Sequence, residues 1–139
     1  MKVHEDRLFT FELEQQSSIL RFLWTEESAK MSDEDFKRAL LLYADYASKH
    51  RTAGLLVDLR SFRHNLGPGI GEWRSEVLVP RYEAAGVKKF AYVLGDEAPM
   101  ATNSADEEER KEAFTTRYFR TLNEAEQWLS GETTLRLEA

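Results

Sequence analysis

The residues best suited to chemistry fall between Asp58 and Tyr82. Asp58 ends a short apolar run, Gly54-Leu55-Leu56-Val57-Asp58, and Arg60, Ser61, Arg63 and His64 follow it. Next come Gly67, Gly69 and Gly71, then Trp73, Arg81 and Tyr82. A histidine oriented by a carboxylate is the raw material of a general base. Arginines beside glycines suit an anion that the backbone must approach closely. Trp73 would face a pocket mouth or a partner, or simply join a helical stripe with Val77 and Leu78.

Each of these has a plainer structural reading. Ser61 and Ser75 lack the G-x-S-x-G setting of an activated nucleophile. Gly67-Pro68-Gly69-Ile70-Gly71 is neither a dinucleotide fingerprint nor a phosphate loop, and Pro68 removes one backbone donor. The glycines then serve a tight turn, and Asp58 caps or pairs with a neighbouring arginine. His4 and His50 lie far from His64, and no two histidines have ligand spacing. The acidic run Asp106 to Glu109 suits a helix start rather than a calcium loop. Lys88-Lys89 is too small a cluster to argue for nucleic acid.

The elements that would position these residues alternate between strand and helix. Phe9, Phe11 and Leu13 alternate with polar residues as a half-buried strand requires. A turn at Gln15 to Ser18 leads to a second strand, Ile19 to Trp24, which makes an antiparallel hairpin. Ser32 opens a helix with Asp33, Glu34 and Asp35 in its first turn, and Lys49, His50 and Arg51 close it. Gly54 to Asp58 reads as a buried, parallel-type strand. A second helix runs from about 71 to 79, where Pro80 breaks or kinks it. Lys88 to Leu94 is a strand, 95 to 104 a loop and 106 to 114 a helix. Thr115 to Phe119 is the last strand. A T-x-x-E capping box at Thr121 and Glu124 opens a final helix that stops at Gly131. The order β-β-α-β-α-β-α-β-α predicts a single-domain α/β fold with a mixed sheet and parallel crossovers, its core over about 8 to 129.

Composition narrows the function classes. The 139 residues are 42% hydrophobic and 32% charged, too apolar for a disordered chain. A net charge of -6 gives no global attraction to nucleic acid or anionic lipid. The absence of cysteine excludes disulfides and thiolate chemistry, and fits a reducing compartment. No apolar stretch reaches the roughly 20 residues of a membrane helix, so a cytoplasmic location is expected.

Three patterns carry a family resemblance. They are Leu55-Leu56-Val57-Asp58-Leu59-Arg60, the segment Gly86 to Val93 (GVKKFAYV), and the FR-x-x-x-EA-x-x-WL form from Phe119 to Leu129. With the element order, they resemble the SpoIIAA-like branch of the STAS superfamily. The resemblance implies a SpoIIAA/STAS-like fold and a regulatory or protein-interaction module rather than an enzyme. Anti-sigma-factor antagonists of that superfamily carry a phosphorylatable serine in a D-S-S-G turn after the central strand. Here the corresponding stretch reads Asn65-Leu66-Gly67-Pro68-Gly69, so the phospho-switch does not carry over.

The expected ligand- or partner-binding set is Asp58, Arg60, His64, Gly69, Trp73 and Arg81, beyond the carboxyl ends of the strands. The expected partner is a protein or a second copy of the chain, with no cofactor, no metal and no nucleic acid. The alternatives are a carrier of a small apolar, amphipathic or anionic ligand, lipid-like in kind, and a small hydrolase or transferase using Asp58 and His64. The last requires those two side chains to converge.

Overall fold

The computed structural model describes residues 1–64, 67–94 and 114–130. Within them six strands form one mixed sheet in the order β1-β2-β3-β4-β5-β6. The strands are β1 (Lys2–Glu5), β2 (Phe9–Glu14), β3 (Ile19–Trp24), β4 (Gly54–Asp58), β5 (Lys89–Val93) and β6 (Thr115–Phe119). β1, β2 and β3 pair antiparallel, and β3 through β6 pair parallel.

Side-chain alternation along the strands feeds two cores. Phe11, Leu20, Phe22, Trp24, Leu55, Val57 and Phe90 point to one face, under α1 (Asp33–His50) and the helical stretch that starts at Ile70. Ile19, Leu56, Ala91 and Val93 point to the other, under α4 (Leu122–Ser130). Every residue of β4 is buried, as the unbroken apolar run requires of a central strand covered on both faces.

The start of α1 is fixed by its own sequence. Ser32 Oγ accepts the Asp35 N–H at 3.1 Å, and the Asp35 carboxylate accepts the Ser32 N–H at 3.2 Å, which completes a capping box. Arg51, at φ 53°, ends the helix in the left-handed conformation.

α4 is tied to the sheet by charge. Arg21 on β3 donates to Glu126 at 2.7 Å and to Glu14 at 2.7 Å. Burial pulls the Arg21 guanidinium down, but the two carboxylates outweigh it and hold it above its ordinary range. The hydrogen bond and charge of Arg21 hold the Glu14 carboxyl below its usual value of 4.5. A depressed carboxyl stabilises the fold above its unfolded pKa, and that contribution is lost as pH falls through the folded value. Glu14→Gln is therefore expected to flatten the acid limb of the stability–pH curve below about pH 4.5, leaving stability at pH 7 less affected by pH than by the lost pair. Denaturation at pH 7 and at pH 3.5 checks this, and an unchanged acid limb refutes it.

Two features differ from the sequence expectation. β1 was not anticipated: Lys2 and Glu5 are exposed, Val3 and His4 half-buried, and its pairing with β2 is irregular. Such a strand carries no apolar alternation to read. The second difference is at Pro80, which does not end the helix. α2 (Ile70–Trp73) passes through a π turn (Arg74–Leu78) into α3 (Val79–Ala85). Val79 N–H reaches back to Arg74 O, one residue further than in an α-helix. That wider turn lies directly before the proline, whose missing N–H is tolerated in the first turn of α3. Gly86, at φ 92°, then stops the helix. The helix expected at 106–114 falls almost wholly outside the described residues.

Candidate functional site

The carboxyl ends of β3, β4 and β5 meet the loop that begins at Leu59. Asp58 is buried there, and Arg60 folds back onto it. Arg60 Nε donates to one carboxylate oxygen at 2.9 Å, Nη2 to the other at 2.7 Å, and the Arg60 N–H adds a third bond at 3.0 Å. The hydrogen bonds that Arg60 donates to the Asp58 carboxylate raise its guanidinium above its ordinary range. A bidentate pair two residues apart is a local brace.

His64 turns the other way. Its Nε2 lies 2.6 Å from Oδ1 of Asp33, in the first turn of α1. The ring packs against Phe36 and Phe62. Arg63 N–H donates to Ser28 Oγ at 2.8 Å, which pins the same loop to the segment before α1. Asp58 and His64 thus have separate partners, and the carboxylate–histidine pair expected from sequence is not formed between them. Asp33 is the residue that sequence reading missed: it was read as a helix-dipole acid.

Gly67 makes this latch specific. A Cβ at position 67 would collide with Oδ2 of Asp33. Gly67→Ala is therefore expected to push the carboxylate off His64, at a cost of about 0.5–1 kcal/mol because the group that moves is the end of a partly exposed side chain. In an Asp33→Ala background the same substitution should cost almost nothing, and a double-mutant cycle by urea denaturation measures the difference. Equal costs in both backgrounds would contradict the latch.

Beside these pairs lies an apolar pocket of about 180 Å³. Its floor is Trp24, Val57, Phe90 and Tyr92 on the strands. Phe36 and Leu40 of α1 form one wall, Leu59 and Phe62 the lip. The facing wall is Ile70, Arg74, Leu78 and Tyr82, a stripe at every fourth residue. In an unbroken α-helix such a stripe drifts about 40° per step, roughly 120° from Ile70 to Tyr82. The one-residue excess of the π turn cancels roughly 100° of that drift. The π turn thus holds all four side chains on the pocket.

The remaining expected site residues sit around this pocket, not in it. Gly69, at φ 86°, supplies the left-handed residue before α2. Trp73 is half-buried, with the Lys37 ammonium 5.5 Å from its ring centroid. Arg81 is exposed and lies 3.9 Å from Asp45 of α1. Its neighbour Tyr82 enters the pocket instead, and burial pushes its phenol well up. Trp24 is a core residue, whereas Trp128 is only half-buried beneath Lys89 and Arg117.

At the opposite end of the sheet is a wider polar groove of about 460 Å³, lined in part by Glu14, Arg21 and Glu126. Its arginine is already matched by both carboxylates. Among the described residues, no cluster of three or more histidine or acidic side chains is placed to hold a metal ion. Among them, too, no helix is long and apolar enough to cross a membrane.

Comparison with known proteins bears on this architecture. A family model described as SpoIIAA-like matches residues 22–130, from β3 through α4. The chain belongs to the SpoIIAA-like family. The matched span contains the second half of β3, the three parallel strands after it, both helical layers and every described residue of the pocket. A SpoIIAA-like domain is of the STAS type, the type of regulatory and interaction modules. No curated protein and no solved structure matches the chain.

Proposed function

We propose that this SpoIIAA-like domain is a non-enzymatic regulatory or protein-interaction module that works at the carboxyl end of its sheet. One observation carries the reading. The polar residues there are closed into structural pairs, Asp58 with Arg60 and His64 with Asp33, and an apolar pocket opens beside them. Catalysis by an Asp58–His64 couple needs contact between them, and each is committed elsewhere. A hollow lined by aromatic rings suits burial of an anchoring group from a partner. The residues expected to surround the contact are Gly69, Trp73 and Arg81, with Leu59 and Phe62 at the lip.

Leu59→Trp, which places a large side chain at the half-buried lip, tests the reading. Wild-type protein is expected to retain a stoichiometric partner, or to self-associate, in affinity purification and light scattering. The variant should lose that association while melting normally. A strictly monomeric wild type without any partner would overturn the proposal.

The pocket also favours a second reading, a carrier of a small apolar or amphipathic ligand. Native mass spectrometry of the purified protein is expected to show an added mass that Leu59→Trp removes. An empty wild type that also ignores added apolar probes would sink this reading.

A further inference from the structure

We propose that the pocket takes a single aromatic ring, the class of small monocyclic aromatic molecules, and reads it by ring-to-ring contact rather than by charge. This rests on the ligand-carrier reading above and names its ligand class.

Size sets the first limit. An apolar cavity of about 150 Å³ is enough to hold benzene. The pocket here is about 180 Å³. It therefore admits one ring and little more. Drug-sized or lipid-sized ligands occupy roughly 300–1,000 Å³, so a long acyl chain is excluded from the interior. The lipid-like ligand expected from sequence is thereby narrowed to a much smaller one.

The walls set the second limit. Two groups of rings line the hollow. In the first, Trp24 stacks on Phe36 at 5.8 Å and meets Phe62 edge-on at 5.0 Å. In the second, Phe90 meets Tyr82 edge-on at 5.2 Å and stacks on Tyr92 at 4.8 Å. Among the described residues, no ring of the first group pairs with a ring of the second. Trp24 is fixed on β3, Phe36 on α1, Tyr82 on α3 and the other two on β5, so sheet and helices hold the groups apart. A ring placed between them reaches offset or edge-to-face contact with both, at centroid separations of roughly 4.5–7 Å. A saturated ring of equal carbon count fills the same space but has no π face, and forgoes those contacts. The π turn brings Tyr82 onto this wall, and π turns recur at functional sites.

Charge adds no selection. Arg74 is the one charged side chain among the described lining residues. Its guanidinium carbon lies 5.7 Å over the Phe90 ring, and it has a further interaction of its own. It is part of the wall, not a charge offered to a ligand. An ionised group enclosed in such a hollow without a partner is costly, so the enclosed part of the ligand is the uncharged ring.

Ligand-detected NMR and calorimetry test this with 2-phenylethanol, its saturated counterpart 2-cyclohexylethanol, and palmitate. 2-Phenylethanol is expected to bind with a Kd of roughly 0.1–1 mM, in keeping with its small size. The saturated counterpart should bind roughly two- to tenfold more weakly, the worth of one aromatic pair. Phe62→Leu, at the half-buried lip, should weaken 2-phenylethanol at least about twofold and leave 2-cyclohexylethanol unchanged. Leu59→Trp should abolish both. Palmitate below its micelle concentration should not displace 2-phenylethanol. Thermal melts establish that each variant is folded. Intermolecular NOEs from the probe ring to Phe36 and Tyr92, one from each group, locate it between them in wild type. Equal or tighter binding of 2-cyclohexylethanol, or a Phe62→Leu variant that weakens both alike, would overturn the aromatic class while the carrier reading stands. Displacement by palmitate would overturn the size limit. Failure of all three probes in wild type would overturn both.

Discussion

Phe22→Ala is expected to destabilise the protein by about 4 kcal/mol, the range found when a buried phenylalanine is truncated. Phe22 is wholly buried on β3. Its ring centroid lies 4.5 Å from Trp24, 4.9 Å from both Phe11 and Tyr43, and 5.1 Å from Phe9. These neighbours come from three different elements, so none can collapse into the void without leaving its own strand or helix. Edge-to-face and stacked geometries add to the loss beyond the area removed. A domain of this size has a total stability of about 5–15 kcal/mol, so most of the reserve disappears. Urea denaturation should show the midpoint falling by roughly 2 M. Phe22→Leu keeps most of the volume and should lose much less. A loss below about 1 kcal/mol for Phe22→Ala would mean that the cluster does not carry this core.

Tyr43→Phe is expected to lose about 1–2 kcal/mol although it removes a single oxygen. Tyr43 is fully buried on α1, and its hydroxyl enters the sheet. It donates to Leu20 O at 2.5 Å and accepts the Leu56 N–H at 3.1 Å. One hydroxyl thus bridges β3 and β4 at the point where the sheet changes from antiparallel to parallel pairing. Burial pushes its phenol well above the ordinary range, so it stays protonated and able to donate. Removing it takes a shared partner from a buried donor and a buried acceptor that face each other across the β3–β4 ladder, at a cost of about 1–2 kcal/mol. Thermal unfolding should record a Tm several degrees lower. Amide exchange at Leu56 should quicken more than at Leu55. A neutral substitution would show that the two backbone groups find each other without help.

Much of the scaffold was legible because its signals are local. The alternation of Phe9, Phe11 and Leu13, then the turn, predicts the hairpin that forms. The Ser32 cap with acids behind it predicts the start of α1 to the residue. Gly54 to Asp58 is the fully buried strand its composition demands. β1 was missed because an edge strand with two exposed residues in four has no periodicity to detect.

The site was less legible, for two physical reasons. The first is distance along the chain. Asp58 and Arg60 are two residues apart, and their pairing was foreseen among the structural readings. His64 and Asp33 are 31 apart, and only the fold brings them together. The second is helical phase. Trp73, Val77 and Leu78 were read as a stripe on ideal α geometry. The π turn rotates the helix, so Leu78 turns inward with Ile70, Arg74 and Tyr82 while Trp73 stays half-buried outside the pocket. A proline six residues after Arg74 marks a perturbed helix, yet it does not say whether the chain breaks or widens.

Among the described residues, the order of strands across the sheet follows their order in the chain. Each new strand therefore joins the edge left by the one before it, and none must be inserted between two already paired. During synthesis, at about 5–20 residues per second, the sheet can lengthen sideways as the chain emerges. The antiparallel strands at the amino end form the template, and every later crossover docks onto a finished border. Besides the outer edge of β1, which is irregular in its pairing and carries exposed Lys2 and Glu5, the open border is the most recent strand's, and each border is covered as the next strand docks.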